Sequence, residues 1–148
     1  MTFAKFAAVC AALIVCASAR GDTTFDLASY AGKVIYLDFW ASWCAPCRQS
    51  FPWMDSVQRE YMSKGLVVVG VNVDQERALA ETFLKQMSPH FRIVFDPKGA
   101  LAETYKVSGM PASFIIDRHG TVRFHHLGFR DDAKPRLDAE LNTVLAEK

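Results

Sequence analysis

The chain has 148 residues, enough for one domain around one core, and 51% of them are apolar, which excludes a disordered polymer. Lysine and arginine total 17 against 16 aspartates and glutamates. That balance gives neither the basic excess of a nucleic-acid binder nor an acidic tail.

The N-terminal residues stand apart. Lys5 is the only charge before Arg20, and residues 6–19 are all apolar or small. This run is shorter than the roughly 20 apolar residues of a membrane span and suits the hydrophobic centre of a secretory signal. Ala17, Ser18 and Ala19 supply the small residues of a cleavage site. Residues 1–19 are therefore expected to be a signal peptide, cut before Arg20. The alternatives are an uncut membrane anchor or lipidation at Cys16. Residues 20–148 form the mature domain.

Residues 24–27 read as a short first strand, and Gly32 turns the chain. Residues 34–40 are almost continuously apolar, as in a strand buried on both faces. A helix is expected from about Cys44, because Cys47, Phe51, Met54, Val57 and Tyr61 recur at helical spacing. Pro52 should kink it and Gly65 should end it. Residues 66–72 form a second buried strand. Asp74 is placed to cap the next helix, with Leu79, Phe83 and Met87 inward and Ser88-Pro89 as its stop.

Residues 93–95 read as a short strand, and Asp96-Pro97 as the opening of a short helix through Leu101 and Tyr105. Residues 112–116 and 121–127 form a hairpin around residues 117–120. A final helix follows Asp132, with Leu137, Leu141, Val144 and Leu145 inward. Strands and helices in this order predict an α/β fold with a central mixed sheet flanked by helices.

Of four cysteines, Cys10 and Cys16 lie in the leader, so cleavage leaves only Cys44 and Cys47. Bridging residues three apart constrains the unfolded chain little, so the value of this pair is chemical. Trp43-Cys44-Ala45-Pro46-Cys47 follows a buried strand and opens a helix. A helix N-terminus offers free N–H groups and partial positive charge, which stabilise a thiolate. Cys44, at the exposed end, is expected to attack. Cys47, one turn inside, is expected to resolve the mixed disulfide. A zinc half-site would need a second pair of ligands. His125 and His126 are neighbours, but adjacent strand residues point to opposite faces.

The stretch from Asp38 to Arg48 resembles the active-site segment of the thioredoxin superfamily. Val71-Asn72-Val73-Asp74, Met110-Pro111-Ala112 and Asp117-Arg118-His119-Gly120 fall where its later landmarks stand. Phe51-Pro52 and the long segment between Asp96 and Pro111 are most similar to the exported TlpA/ResA-type thiol–disulfide reductases, which include the DsbE/CcmG proteins of cytochrome c maturation. The resemblance implies a thioredoxin-like fold for residues 20–148 and a redox disulfide between Cys44 and Cys47. It implies a cis-proline at Pro111, and substrate contacts from Trp43, Ala45, Pro46, Met110 and Pro111. It also implies that Asp38 moves the proton of the buried cysteine, against the plainer reading of an aspartate paired with Lys33.

The implied substrates are protein thiols and disulfides. The implied location is the periplasm of a Gram-negative-type envelope, where a DsbD- or CcdA-like membrane protein supplies electrons to a monomer without cofactor or metal. Two positions depart from the pattern. Ser50 stands where ResA-type reductases carry a glutamate, and Gly70 where thioredoxins place a lysine. An oxidant or isomerase, a Cu(I) carrier for oxidase assembly, and an adaptor with inert cysteines are the alternative functions.

Overall fold

A computed structural model describes residues 25–147. The leader and its expected cleavage lie outside the described residues. A five-stranded mixed sheet has the order β3-β2-β1-β4-β5. β1 (Val34–Trp40) is central, parallel to β2 (Leu66–Asn72) and antiparallel to β4 (Ala112–Ile116). β3 (Arg92–Phe95) lies parallel beside β2, and β5 (Val122–Leu127) lies antiparallel beside β4. All seven residues of β1 are buried, as its unbroken apolar run requires.

The helices are α1 (Ala45–Tyr61), α2 (Arg77–Met87), α3 (Ala100–Thr104) and α4 (Lys134–Ala146). One face of the sheet packs Tyr36, Trp40 and Ile115 against α1, α2 and α4. The other packs Ile35, Leu37, Phe39 and Phe114 against Leu101 and Tyr105 and the segment before β1. Among the described residues no helix is long and apolar enough to cross a membrane.

Most inward positions match the helical spacing. Cys47, Phe51, Met54, Val57 and Tyr61 are buried on α1, as are Leu137, Leu141, Val144 and Leu145 on α4. α1 remains one element through Pro52, whose missing N–H leaves the Arg48 carbonyl without its helical donor. A 3-10 turn (Met62–Lys64) follows, ended by Gly65 in the left-handed region at φ 95°.

Four expectations fail locally. The first strand does not form: Leu27–Tyr30 is a 3-10 turn, because Asp26 accepts the Ala28 N–H at 3.0 Å and caps it. α2 begins later, after Glu76, and Asp74 does not cap it, because its carboxylate is engaged elsewhere. With that start, Ala80 and Phe83 are buried on α2 while Leu79 is 50% exposed. Asp96 and Pro97 form a turn before α3, so Pro97 falls short of its first turn and Gly99 is the N-cap, while the Asp96 carboxylate still accepts Ala102 N–H there at 3.0 Å.

Trp53 is a core residue. It is 6% exposed, sets its ring edge-on to Tyr36 at 5.2 Å, and donates Nε1–H to Asp138 Oδ1 at 3.1 Å.

Gly70 is required by a close approach. A Cβ there would stand 3.0 Å from Phe91 Cε2 and 3.1 Å from Trp40 Nε1. Gly70 lies opposite Asp38 in the parallel register, so the Trp40 indole occupies the space a lysine side chain would need. Gly70→Ala should overpack this site and cost about 1–3 kcal/mol in urea unfolding, with the slope unchanged.

Candidate active site

The cysteines sit where β1 ends and α1 begins. Cys44 is the N-cap of α1 in extended conformation, and Pro46 falls in the first turn, where no intrahelical N–H is required. The sulfurs of Cys44 and Cys47 are bonded at 2.12 Å, with their Cα atoms 5.3 Å apart. The Cys47 N–H donates to Cys44 Sγ at 3.2 Å. An oxygen side chain usually fills this capping role. Here a sulfur does, and an anion on that sulfur would gain from both the N–H and the helix dipole. Cys44 is 5% exposed and Cys47 fully buried, so only Cys44 offers an edge to an incoming group.

A second set of bonds holds the approach to Cys44. The buried Asp74 carboxylate accepts Ser42 N–H at 2.9 Å, Ser42 Oγ–H at 2.9 Å and an Asn72 Nδ2–H at 2.7 Å. Cys44 N–H donates to Ala41 O at 3.1 Å, and Val73 N–H to Trp40 O at 3.0 Å. These contacts tie the loop between β1 and α1 to the end of β2. A helix-capping aspartate and a loop-holding aspartate are alike in sequence; only the buried Ser42 contact distinguishes them.

Around the disulfide, Trp43 is 70% exposed, and Ala45 and Pro46 are exposed. The Met110–Pro111 peptide bond is cis. Pro111 directly precedes β4, whose Ala112 pairs with Phe39 near the end of β1, and its carbonyl accepts Gly128 N–H at 2.7 Å. Met110 packs against the core cluster that contains both cysteines. Leu127, opposite Ala112 in the β4–β5 register, is a further exposed apolar side chain on this rim. Its exposure is not legible in the sequence, because an apolar residue at a strand end ordinarily marks core.

Asp38 is 1% exposed, on the sheet face covered by α1 and α4. Its Oδ2 has no hydrogen-bond partner within the protein. Lys33 is exposed at the far end of β1, about 17 Å along an extended chain, and does not reach it. Burial pushes the Asp38 carboxyl well above the ordinary carboxylate range. Burial, then the charge of Asp38, pushes Tyr36 up as well, so its phenol stays protonated.

Ser50 is buried and donates Oγ–H back to Cys47 O at 2.9 Å, so no carboxylate stands one turn after the pair. His125 stacks on Phe114 on one face of the sheet, while His126 meets Glu140 on the other. Among the described residues no three His, Cys, Asp or Glu side chains gather into a metal-sized cluster.

This geometry, a disulfide capping a helix beside a cis-proline on a five-stranded mixed sheet, is that of the thioredoxin fold. The Redoxin family profile matches residues 12–142, and the chain belongs to that family. It is similar to the thiol-disulfide oxidoreductase ResA of Bacillus thuringiensis, at 33% identity over 97 residues, 66% of this chain and 56% of the relative. It thus spans a little over half the length of that relative.

Among solved structures it resembles a Chlorobium tepidum protein assigned as thiol:disulfide interchange protein DsbE. There the TM-score is 0.80 at 49% identity, covering 81% of this chain and 85% of that one. StoA from Bacillus subtilis follows at TM-score 0.64 and 29% identity, covering 74% and 82%.

The buried carboxyl has a measurable consequence for stability. A carboxyl raised on folding binds its proton more tightly in the folded state. Its penalty is absent below the unfolded value near ~4 and grows as pH rises through the folded value. Asp38→Asn should therefore raise the urea midpoint at pH 8 and leave it nearly unchanged at pH 4.

Proposed function

We propose that the protein is an exported thiol-disulfide oxidoreductase that reduces protein disulfides in the periplasm. The carrying observation is the Cys44–Cys47 disulfide at the head of α1, with the Cys47 N–H on the Cys44 sulfur and Cys47 fully buried. The names of the ResA and DsbE relatives support the same chemistry.

In the reduced protein the Cys44 thiolate attacks one sulfur of a substrate disulfide. A Cys44–substrate bond forms and the other substrate sulfur leaves as a thiolate, which takes a proton. Cys47 then ionises and attacks Cys44. The substrate leaves reduced, and the disulfide seen in this structure is formed. Cys47 has no solvent to take its proton, so a base must lie within the fold. Asp38 serves: its carboxyl is on the face covered by α1, its Oδ2 has no partner, and burial raises its proton affinity well above that of an ordinary carboxylate.

Trp43, Ala45, Pro46, Met110 and Pro111 form the rim on which an extended substrate segment lies, pairing with backbone groups beside Pro111 as an added strand. Each cycle oxidises the pair. In an oxidising compartment it must be reduced again by a membrane thiol donor of the DsbD or CcdA type. The segment at residues 1–19, read as a secretory signal, supports export. The likeness to DsbE supports a client among the cytochrome c maturation proteins or related envelope thiols.

Trapping in the native envelope tests this reading. Cys47→Ser should accumulate mixed disulfides on Cys44 and lose at least ~100-fold of its protein-disulfide turnover, and Cys44→Ser should capture nothing. Capture through Cys47 in Cys44→Ser, or turnover that survives loss of Cys44, would refute it.

A further inference from the structure

Glu140 occupies a place where a carboxylate is unexpected. The inward stripe of α4 runs through Leu137, Leu141 and Val144, and Glu140 lies on it, one helical turn after Leu137. Its side chain is only 17% exposed, and a carboxylate so placed is costly without a partner. The partner is His126 of β5, itself 10% exposed, with Nε2 2.7 Å from Glu140 Oε2. The contact is short, but Glu140 Oε2 receives no well-directed hydrogen bond, so the pair is a close packing contact that becomes a charge attraction only when His126 is protonated.

The sheet register connects this pair to the active site. Asp38 of β1 faces Ser113 of β4, and Ser113 faces His126 of β5. Directly opposed residues share a face. The three therefore form a polar row across three strands, beneath α1 and α4, with Tyr36 on the same face of β1 two residues from Asp38. Two strand spacings put Asp38 about 10 Å from His126. The titratable groups facing this row are Tyr36 of β1, Cys47 of α1, His126 of β5, and Arg136, Asp138 and Glu140 of α4. Asp138 is held by Trp53, and Arg136 lies exposed with Nε 3.9 Å from Glu140 Oε1. β2 contributes only Gly70 at this level.

We propose that Glu140, braced by His126, is a positioning residue for thiol exchange: its negative charge sets how readily the Asp38 carboxyl gives up its proton, and so when Asp38 can take the proton of Cys47. Burial holds His126 below the ordinary imidazole range, so at neutral pH it does not cancel the Glu140 charge. Glu140 sits against the His126 ring, so it stands from Asp38 at a distance of the order of those two strand spacings, and a unit charge roughly 10 Å away in a medium of effective dielectric about 20 shifts a carboxyl by about one pH unit. The inference rests on the role assigned to Asp38.

The test follows the resolving step in the full chain. Cys44 is loaded as its mixed disulfide with glutathione, and release of glutathione is timed against pH. In that step the Cys44–Cys47 bond forms, the Cys44–glutathione bond breaks, and the glutathione thiolate leaves and is protonated.

The midpoint of the rate profile should fall by about one pH unit in Glu140→Gln. It should rise by a smaller amount in Arg136→Gln, an exposed change that leaves the Glu140 charge less screened. It should not move in His125→Gln, on the opposite face. In an Asp38→Asn background Glu140→Gln should have no effect.

A midpoint unmoved by both Glu140→Gln and Arg136→Gln, or one that shifts equally without Asp38, overturns the inference. If Asp38→Asn itself leaves the profile unchanged, the base assignment fails as well. If Asp38→Asn moves the profile and the α4 variants do not, only the role of Glu140 is lost.

Discussion

At the head of α1 a helix that needs an acceptor for its first N–H groups receives a sulfur. Cys44 accepts the Cys47 N–H at 3.2 Å, and the loop that delivers it is fixed from behind by Asp74 through both polar groups of Ser42. β1 is buried along its whole length, so the position of that helix start is set by the core and not by the surface. The capping group of the helix and the reactive group of the site are therefore the same atom. Whatever stabilises the helix start also stabilises a negative charge on Cys44.

The second sulfur depends on the opposite condition. Cys47 is fully buried one turn along α1, out of reach of solvent bases. A thiol so placed can turn over only if the protein supplies a base. The sheet beneath carries an unpaired carboxyl at Asp38, with Gly70 beside it in place of any cation. A Cβ at Gly70 would meet Trp40 Nε1 at 3.1 Å and Phe91 Cε2 at 3.0 Å, so no side chain fits there and the carboxyl is left uncompensated. Ser50, turned back onto the Cys47 carbonyl, adds no second acid. In the mechanism we propose, proton handling falls on that one carboxyl and on the charges of α4 and β5 nearest to it.

The sequence made the strands and the two long helices legible because their periodicities are undiluted. β1 and β2 are continuous apolar runs, and α1 and α4 repeat their inward residues at helical spacing. The Cys44–Cys47 pair and Pro46 were legible because their spacing and their place after a buried strand have few other uses.

What failed were choices between competing local bonds. Asp26 capped a 3-10 turn where a strand was expected, and Asp74 bound Ser42, 32 residues back along the chain, in preference to the helix ahead of it. The burial of Trp53 is not legible along the chain, because it depends on Asp138 and Phe129, which arrive only near its end. The Asp38–Ser113–His126 row was likewise invisible, since it exists only in the register of three strands.

On this reading the start of α1 makes Cys44 the reactive thiolate. Titration of the reduced protein by thiolate ultraviolet absorbance tests it directly. One cysteine should ionise at least about one pH unit below the free value of ~8.5, with that transition lost in Cys44→Ser and retained in Cys47→Ser. A reduced protein whose cysteines both ionise at or above ~8.5, or a low transition that persists without Cys44, would contradict it.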